Sequence, residues 1–226
     1  MSALDDGWSF LEPATDRPEA RLAVRLACIV AGCGIACVAA LMPNLALRIG
    51  LDPWDLVMAA LALLAGAWIG ARTGTRSRAR SRAETDARRG ARADHRKTGP
   101  AQPWLGTRRL VLIGGLGSAS MLPVLALAGS AVPLAVSLFA FGLGAGALDV
   151  ALRATADEVA RSTPPPGRSG LRVLYGVAGA GGALVTTLLL SVGFEPPLAA
   201  ALVAAPMAIA IVVAWPYVLE APARER

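Results

Sequence analysis

Six α-helices crossing a lipid bilayer account for this chain, and three features of its 226 residues say so. Hydrophobic residues make up 55% of it and charged residues only 17%, with a mean hydropathy of +0.54, which lies beyond soluble globular domains and within polytopic membrane proteins. Apolar runs of bilayer-spanning length recur between short polar breaks. The basic residues collect in alternate breaks. The expected class is therefore an all-α integral membrane bundle.

The first 21 residues form an acidic tail, with Asp5, Asp6, Glu12, Asp16 and Glu19 and two prolines. Residues 22–72 hold the first two spans, one centred on Leu26 to Leu47 and the next on Leu56 to Ala71. Val30-Ala31-Gly32-Cys33 imitates a lipoprotein cleavage box, but Arg25 cuts the apolar run before it and apolar sequence continues after it, so an uncleaved helix is expected. Cys28, Cys33 and Cys37 share that span with no His or carboxylate beside them. They read as small packing residues rather than metal ligands or a disulfide. Asp52-Pro53-Trp54-Asp55 makes a turn with an interfacial Trp and a good helix start.

Residues 73–108 are the one long segment that is not membrane. From Arg72 to Arg109 twelve Lys or Arg stand against Glu84, Asp86 and Asp94, with no apolar periodicity, which predicts a flexible basic loop. Such a loop suits an anionic lipid surface or a protein partner. No Trp, Tyr or Phe lies between Arg72 and Lys97, which argues against nucleic acid. Residues 109–220 hold the remaining four spans, near Leu110 to Ala128, Val132 to Arg153, Leu171 to Val192 and Leu198 to Leu219, and 221–226 form a charged tail. Pro164-Pro165-Pro166-Gly167 breaks the loop between the fourth and fifth.

With the amino terminus inside, 21 of the 22 Lys and Arg fall on the inner side and only Arg48 outside. This asymmetry orients the bundle with both termini in the cytoplasm of a cell whose plasma membrane is crossed six times.

Small residues recur at three- and four-residue spacing, as in Gly66 and Gly70, Gly142 and Gly146, and Gly179 and Gly182. In hydrocarbon there is no hydrophobic force between helices, so close backbone approach supplies the contact energy, and these glycines read as packing residues. A phosphate-cradling glycine loop would need a preceding strand, which this sequence does not offer.

Polar groups inside the spans are the candidates for function. Asp149 is the one carboxylate within an apolar run, four residues before Arg153 and on the same helix face. It reads either as an interfacial ion pair that anchors a helix end or as a coupling or gating carboxylate. Arg172 opens the fifth span, where it either snorkels to the interface or meets Asp149 or an anionic solute. Asn44, Tyr175, Thr186 and Thr187 either line a cavity or bond helix to helix. The single histidine, His95, lies in the basic loop, so a catalytic base or metal ligand set is missing from the spans; no enzyme, metal or cofactor is expected.

The run GLGAGALDVALRA, followed after a Pro-Gly-Arg loop by SGLRVLYGVAGAGGAL, resembles the fourth and fifth helices of major facilitator superfamily (MFS) permeases. MPNLALRIGLDPWDLVMAALALLAGAWIG is similar to that family's first-to-second helix connection, so the likeness covers the family's N-terminal half. Where the family pattern has Asn this chain has Arg153, and where it has His this chain has Arg172. The signature between the second and third helices is present only as Gly70 and Gly74 and as Gly106-Thr107-Arg108-Arg109. The resemblance implies a half-transporter fold and solute transport. Alternating access rocks one bundle against another, so it further implies a homodimer or a separately encoded second half. The competing expectation is a non-transporting remnant or accessory subunit whose basic loop docks a partner or anionic lipid.

Overall fold

The computed structural model describes residues 18–91, 105–162 and 167–215, with side chains over 22–75, 110–153 and 173–215. Among the described residues six helices follow in order: α1 (Pro18–Ile49), α2 (Pro53–Ala91), α3 (Leu105–Ala126), α4 (Ala131–Ser162), α5 (Gly167–Ser191) and α6 (Pro196–Ala214). Five carry segments long and apolar enough to cross a membrane: Leu22–Ile49, Pro53–Thr75, Ala131–Arg153, Val173–Ser191 and Pro196–Ala214. The apolar part of α3, Leu110–Ala126, is shorter, about 25 Å at the helical rise. The protein is a multi-pass helical membrane bundle.

Helix stops are encoded locally. After α1, Gly50 adopts φ 70°, and Gly50 and Leu51 both donate to the carbonyl of Ala46. After α5, Gly193 adopts φ 96° and Phe194 donates to the carbonyl of Leu189. A residue with a Cβ resists that left-handed conformation, so glycine ends the helix at both places. Pro53 and Pro196 then open α2 and α6, since a first-turn residue has no intrahelical use for an N–H. Gly50-Leu51-Asp52-Pro53 and Gly193-Phe194-Glu195-Pro196 are thus the same turn chemistry used twice.

Packing gives the chain a core of four helices and two flanks. α3 bridges α4 and α6, α6 bridges α3 and α1, and α1 touches α4, while α2 lies on α4 and α5 on α1. Leu41, Leu45, Leu122, Leu125, Leu134 and Phe141 lie fully buried in the central cluster. Replacing each helix by the one three places later reproduces this pattern. Three is odd, so the second triplet crosses in the opposite sense: the bundle is an inverted repeat. α2 and α5 each leave a broad apolar face open, including Leu61, Leu64 and Trp68 on one and Val177, Leu184 and Leu188 on the other.

Two expectations from sequence need correction. The loop expected from residue 73 is helical as far as Ala91, because α2 continues unbroken out of the bundle. Arg and Ala are strong helix formers, no proline lies between Pro53 and Pro100, and Arg80–Glu84 and Glu84–Arg88 are spaced for i,i+4 support. Residues 92–104 of that loop lie outside the described residues. α4 likewise continues past Arg153 to Ser162 and α5 starts at Gly167, so helix takes up most of the second polar segment, and residues 163–166 lie outside the described residues. The tails 1–17 and 216–226 also lie outside them.

Candidate functional site

Because the helices alternate in direction, the start of α1, the end of α2, the start of α3, the end of α4 and the start of α5 gather at one end of the bundle. The basic residues follow them there. The opposite end carries Arg48 with Asp52, Asp55 and Glu195.

At the basic end Asp149 of α4 accepts from the Arg153 guanidinium at 2.7 Å. The two sit one helical turn apart at the limit of the apolar span Ala131–Arg153. The side chains are 47% and 77% exposed, so the pair is not sealed inside the bundle. An exposed i,i+4 pair contributes about 0.3–0.5 kcal/mol. Tyr175 of α5 and Cys28 of α1 lie within electrostatic range of the Asp149 carboxylate, and Tyr175 also of Arg153. Residues of α1, α4 and α5 thus share this end of the bundle. Arg172 lies one turn before Tyr175 on α5, and its side chain is outside the described residues.

Other predicted residues are placed elsewhere. Asn44 is exposed on α1 sixteen residues from Cys28, about 24 Å along the axis, and belongs to the opposite end. Thr186 has no exposed surface. Its hydroxyl donates to the Gly182 carbonyl at 2.8 Å and lies 2.8 Å from the Cys37 sulfur, so the Cys37 S–H is the donor across to α5. That places Thr186 inside a helix contact and not on an open wall. Thr187, on the next position, is exposed and bonds back to the Ala183 carbonyl.

The glycines sit at the flank contacts. Gly66 and Gly70 face the carbonyls of Phe139 and Leu143, while Gly142 and Gly146 face those of Leu63 and Ala67. A Cβ at any of the four would collide with backbone, which cannot swing aside as a side chain can. Gly182 lies against Cys33 of α1, its Cβ position 2.6 Å from the sulfur, whereas Gly179 would carry a Cβ in ordinary contact 3.4 Å from the Gly32 carbonyl.

An open groove of about 460 Å³ runs between α3 and α6, lined by Leu116, Gly117, Ser120, Ala201, Ala205 and Ala208 among others. It contains none of the residues singled out from sequence. Its one hydroxyl, Ser120, is turned to the carbonyl of Gly117 on its own helix. Among the described residues no group of three His, Cys, Asp or Glu could hold a metal ion.

Two arrangements escaped sequence reading. A helix-to-helix bond at Thr186 was among the expectations, but its partner Cys37, 149 residues away, left no local signal. Arg72 stacks over the Trp68 ring, 3.8 Å from its centroid, and here a signal existed: Trp and Arg four residues apart at the polar limit of a span.

Asp149, Arg153 and Tyr175 thus lie toward the basic end of the bundle, and a known protein is similar in sequence over most of this chain. The chain is similar to an MFS-type transporter. That relative, an uncharacterized MFS-type transporter of Yersinia pestis, is 27% identical over 176 residues, covering 78% of this chain and 40% of its own length. The chain thus spans well under half the length of the curated relative it matches. No family model and no solved structure matches.

Proposed function

We propose that this chain supplies one six-helix bundle of an MFS-like solute transporter in the bacterial inner membrane, with its basic end and both termini cytoplasmic. A second bundle, from another copy of the chain or a separate partner half, completes the pathway. The observation that carries the proposal is the inverted triplet arrangement with open apolar faces on α2 and α5, in a chain similar to an MFS-type transporter. A second bundle laid against those faces would enclose a path between them.

In this mechanism Asp149 is the coupling or gating group, with Arg153 and Arg172 as its cationic partners and Tyr175 beside it. The carboxylate is half exposed at the end of its apolar span, open to a proton or solute arriving at the basic end. Its charge holds Arg153 at 2.7 Å, and protonation or an arriving anionic solute frees that cation to change partners as the mouth opens. Catalysis has no role in it.

Uptake and efflux of a labelled panel of sugars, organic acids and amphipathic cations, in cells expressing the chain, test the proposal together with the mass of the nanodisc-embedded assembly. The expected result is movement of at least one solute class by an assembly of two bundles or more, abolished by Asp149→Asn at unchanged membrane insertion. Transport unaffected by Asp149→Asn would reduce the residue to an anchor. A monomer that moves nothing would instead support an accessory, non-transporting protein.

A further inference from the structure

α2 lies on α4, α4 touches α1 and α5 lies on α1, so these four helices form this bundle's wall of a path between the open faces of α2 and α5. Over their residues 29–43, 56–67, 135–148 and 177–190 no side chain carries a charge. The hydroxyls in those segments are Ser137, Thr186 and Thr187. Ser137 and Thr186 are buried and donate to the Leu134 and Gly182 carbonyls of their own helices, and the exposed Thr187 donates to that of Ala183. Whichever faces line the path, a solute meets no hydroxyl, amide or cation there with a proton to give; Cys33 adds a thiol, a weak donor.

Such a wall selects by what it lacks. Each hydroxyl or charge of a sugar or zwitterion laid against it gives up water and gains no partner, whereas an apolar body gains burial. This holds whether a copy or a separate half supplies the other wall. Charge returns at the basic mouth, where Asp149 stands among the exposed Arg25, Arg72 and Arg153. The Asp149 carboxylate already holds the Arg153 guanidinium at 2.7 Å, so an arriving cation has to displace a partner on the same helix within a positive field. An arriving anion instead takes Arg153 over, because the planar fork of a guanidinium matches two oxygens of a carboxylate or sulfonate.

We propose that the solute class of this site is the lipophilic organic anion: one carboxylate or sulfonate group, taken by Arg153, on an apolar body that lies along the hydrocarbon wall. This rests on the transport reading of the Asp149 mouth and narrows it.

Equilibrium binding separates the two readings, since it needs no turnover. The full chain in nanodiscs is titrated with labelled naphthalenesulfonate, which stays ionised, and with methanesulfonate, glucose and tetraphenylphosphonium, each corrected for empty nanodiscs; the same probes are then followed into proteoliposomes. Naphthalenesulfonate should bind about fiftyfold or more tighter than methanesulfonate, the effect of burying its rings, and glucose should show no binding. Asp149→Asn releases Arg153 and should tighten naphthalenesulfonate about twofold, while Arg153→Gln should weaken it about fivefold. Arg48→Gln, an exposed cation at the opposite end, should change neither. Retention of tetraphenylphosphonium that Asp149→Asn abolishes would make the solute a cation and overturn the proposal. Naphthalenesulfonate bound no better than by empty nanodiscs overturns it too, and if glucose then binds or moves, the transport reading survives alone. Binding in the expected order with no probe moved upholds the anion site and removes the transport reading.

Discussion

The two flanks of the bundle occupy equivalent places and are fastened differently. α2 meets α4 through four glycines, two from each helix, each lying against backbone of the other. α5 meets α1 through a mixed seam: Gly32 lies against the Tyr175 carbonyl and Gly182 against Cys33, Gly179 has room to spare, and Cys37 donates to Thr186. One contact depends on backbone proximity, the other on proximity plus a hydrogen bond. Hydrocarbon offers both routes, and a pseudo-symmetric fold does not oblige its halves to choose the same one.

That contrast can be broken by substitution. Gly146→Leu drives a branched side chain into the Ala67 backbone and should detach α2 from α4, at about 3 kcal/mol or more in denaturant unfolding of the detergent-solubilised protein. Gly146→Ala should cost about 1–3 kcal/mol by the same measurement, since even one methyl meets a carbonyl. Thr186→Val keeps the shape and removes the acceptor for Cys37, for a loss of about 0.6 kcal/mol. Gly179→Ala, whose Cβ finds ordinary contact distance, should stay within about 0.5 kcal/mol of wild type. If Gly179→Ala proves as costly as Gly146→Ala, the two seams are not different in kind.

Much of this was readable in the residues, because bilayer physics narrows the options. An apolar run of twenty residues has to be a helix, and glycines four apart on such a helix have to face something close. The six helices and the placement of Gly66, Gly70, Gly142 and Gly146 at helix contacts follow from those constraints. The helical state of residues 73–91 did not, because polarity signals exposure, and exposed Arg–Ala sequence forms helix as readily as loop. Partnerships over long sequence distance also stayed hidden. Nothing around Thr186 tells that its partner is Cys37 rather than a solute, whereas Asp149 and Arg153, four apart, could be paired by eye.

The proposed orientation puts the basic residues together on the cytoplasmic side of a bilayer. Single cysteines introduced by Ser81→Cys on the extension of α2 and Glu195→Cys at the opposite turn, in a chain freed of its three native cysteines, can be probed in intact cells with a membrane-impermeant maleimide. The prediction is labelling of the Glu195→Cys protein from outside and of the Ser81→Cys protein only after permeabilisation. Labelling of the Ser81→Cys protein in intact cells would contradict it.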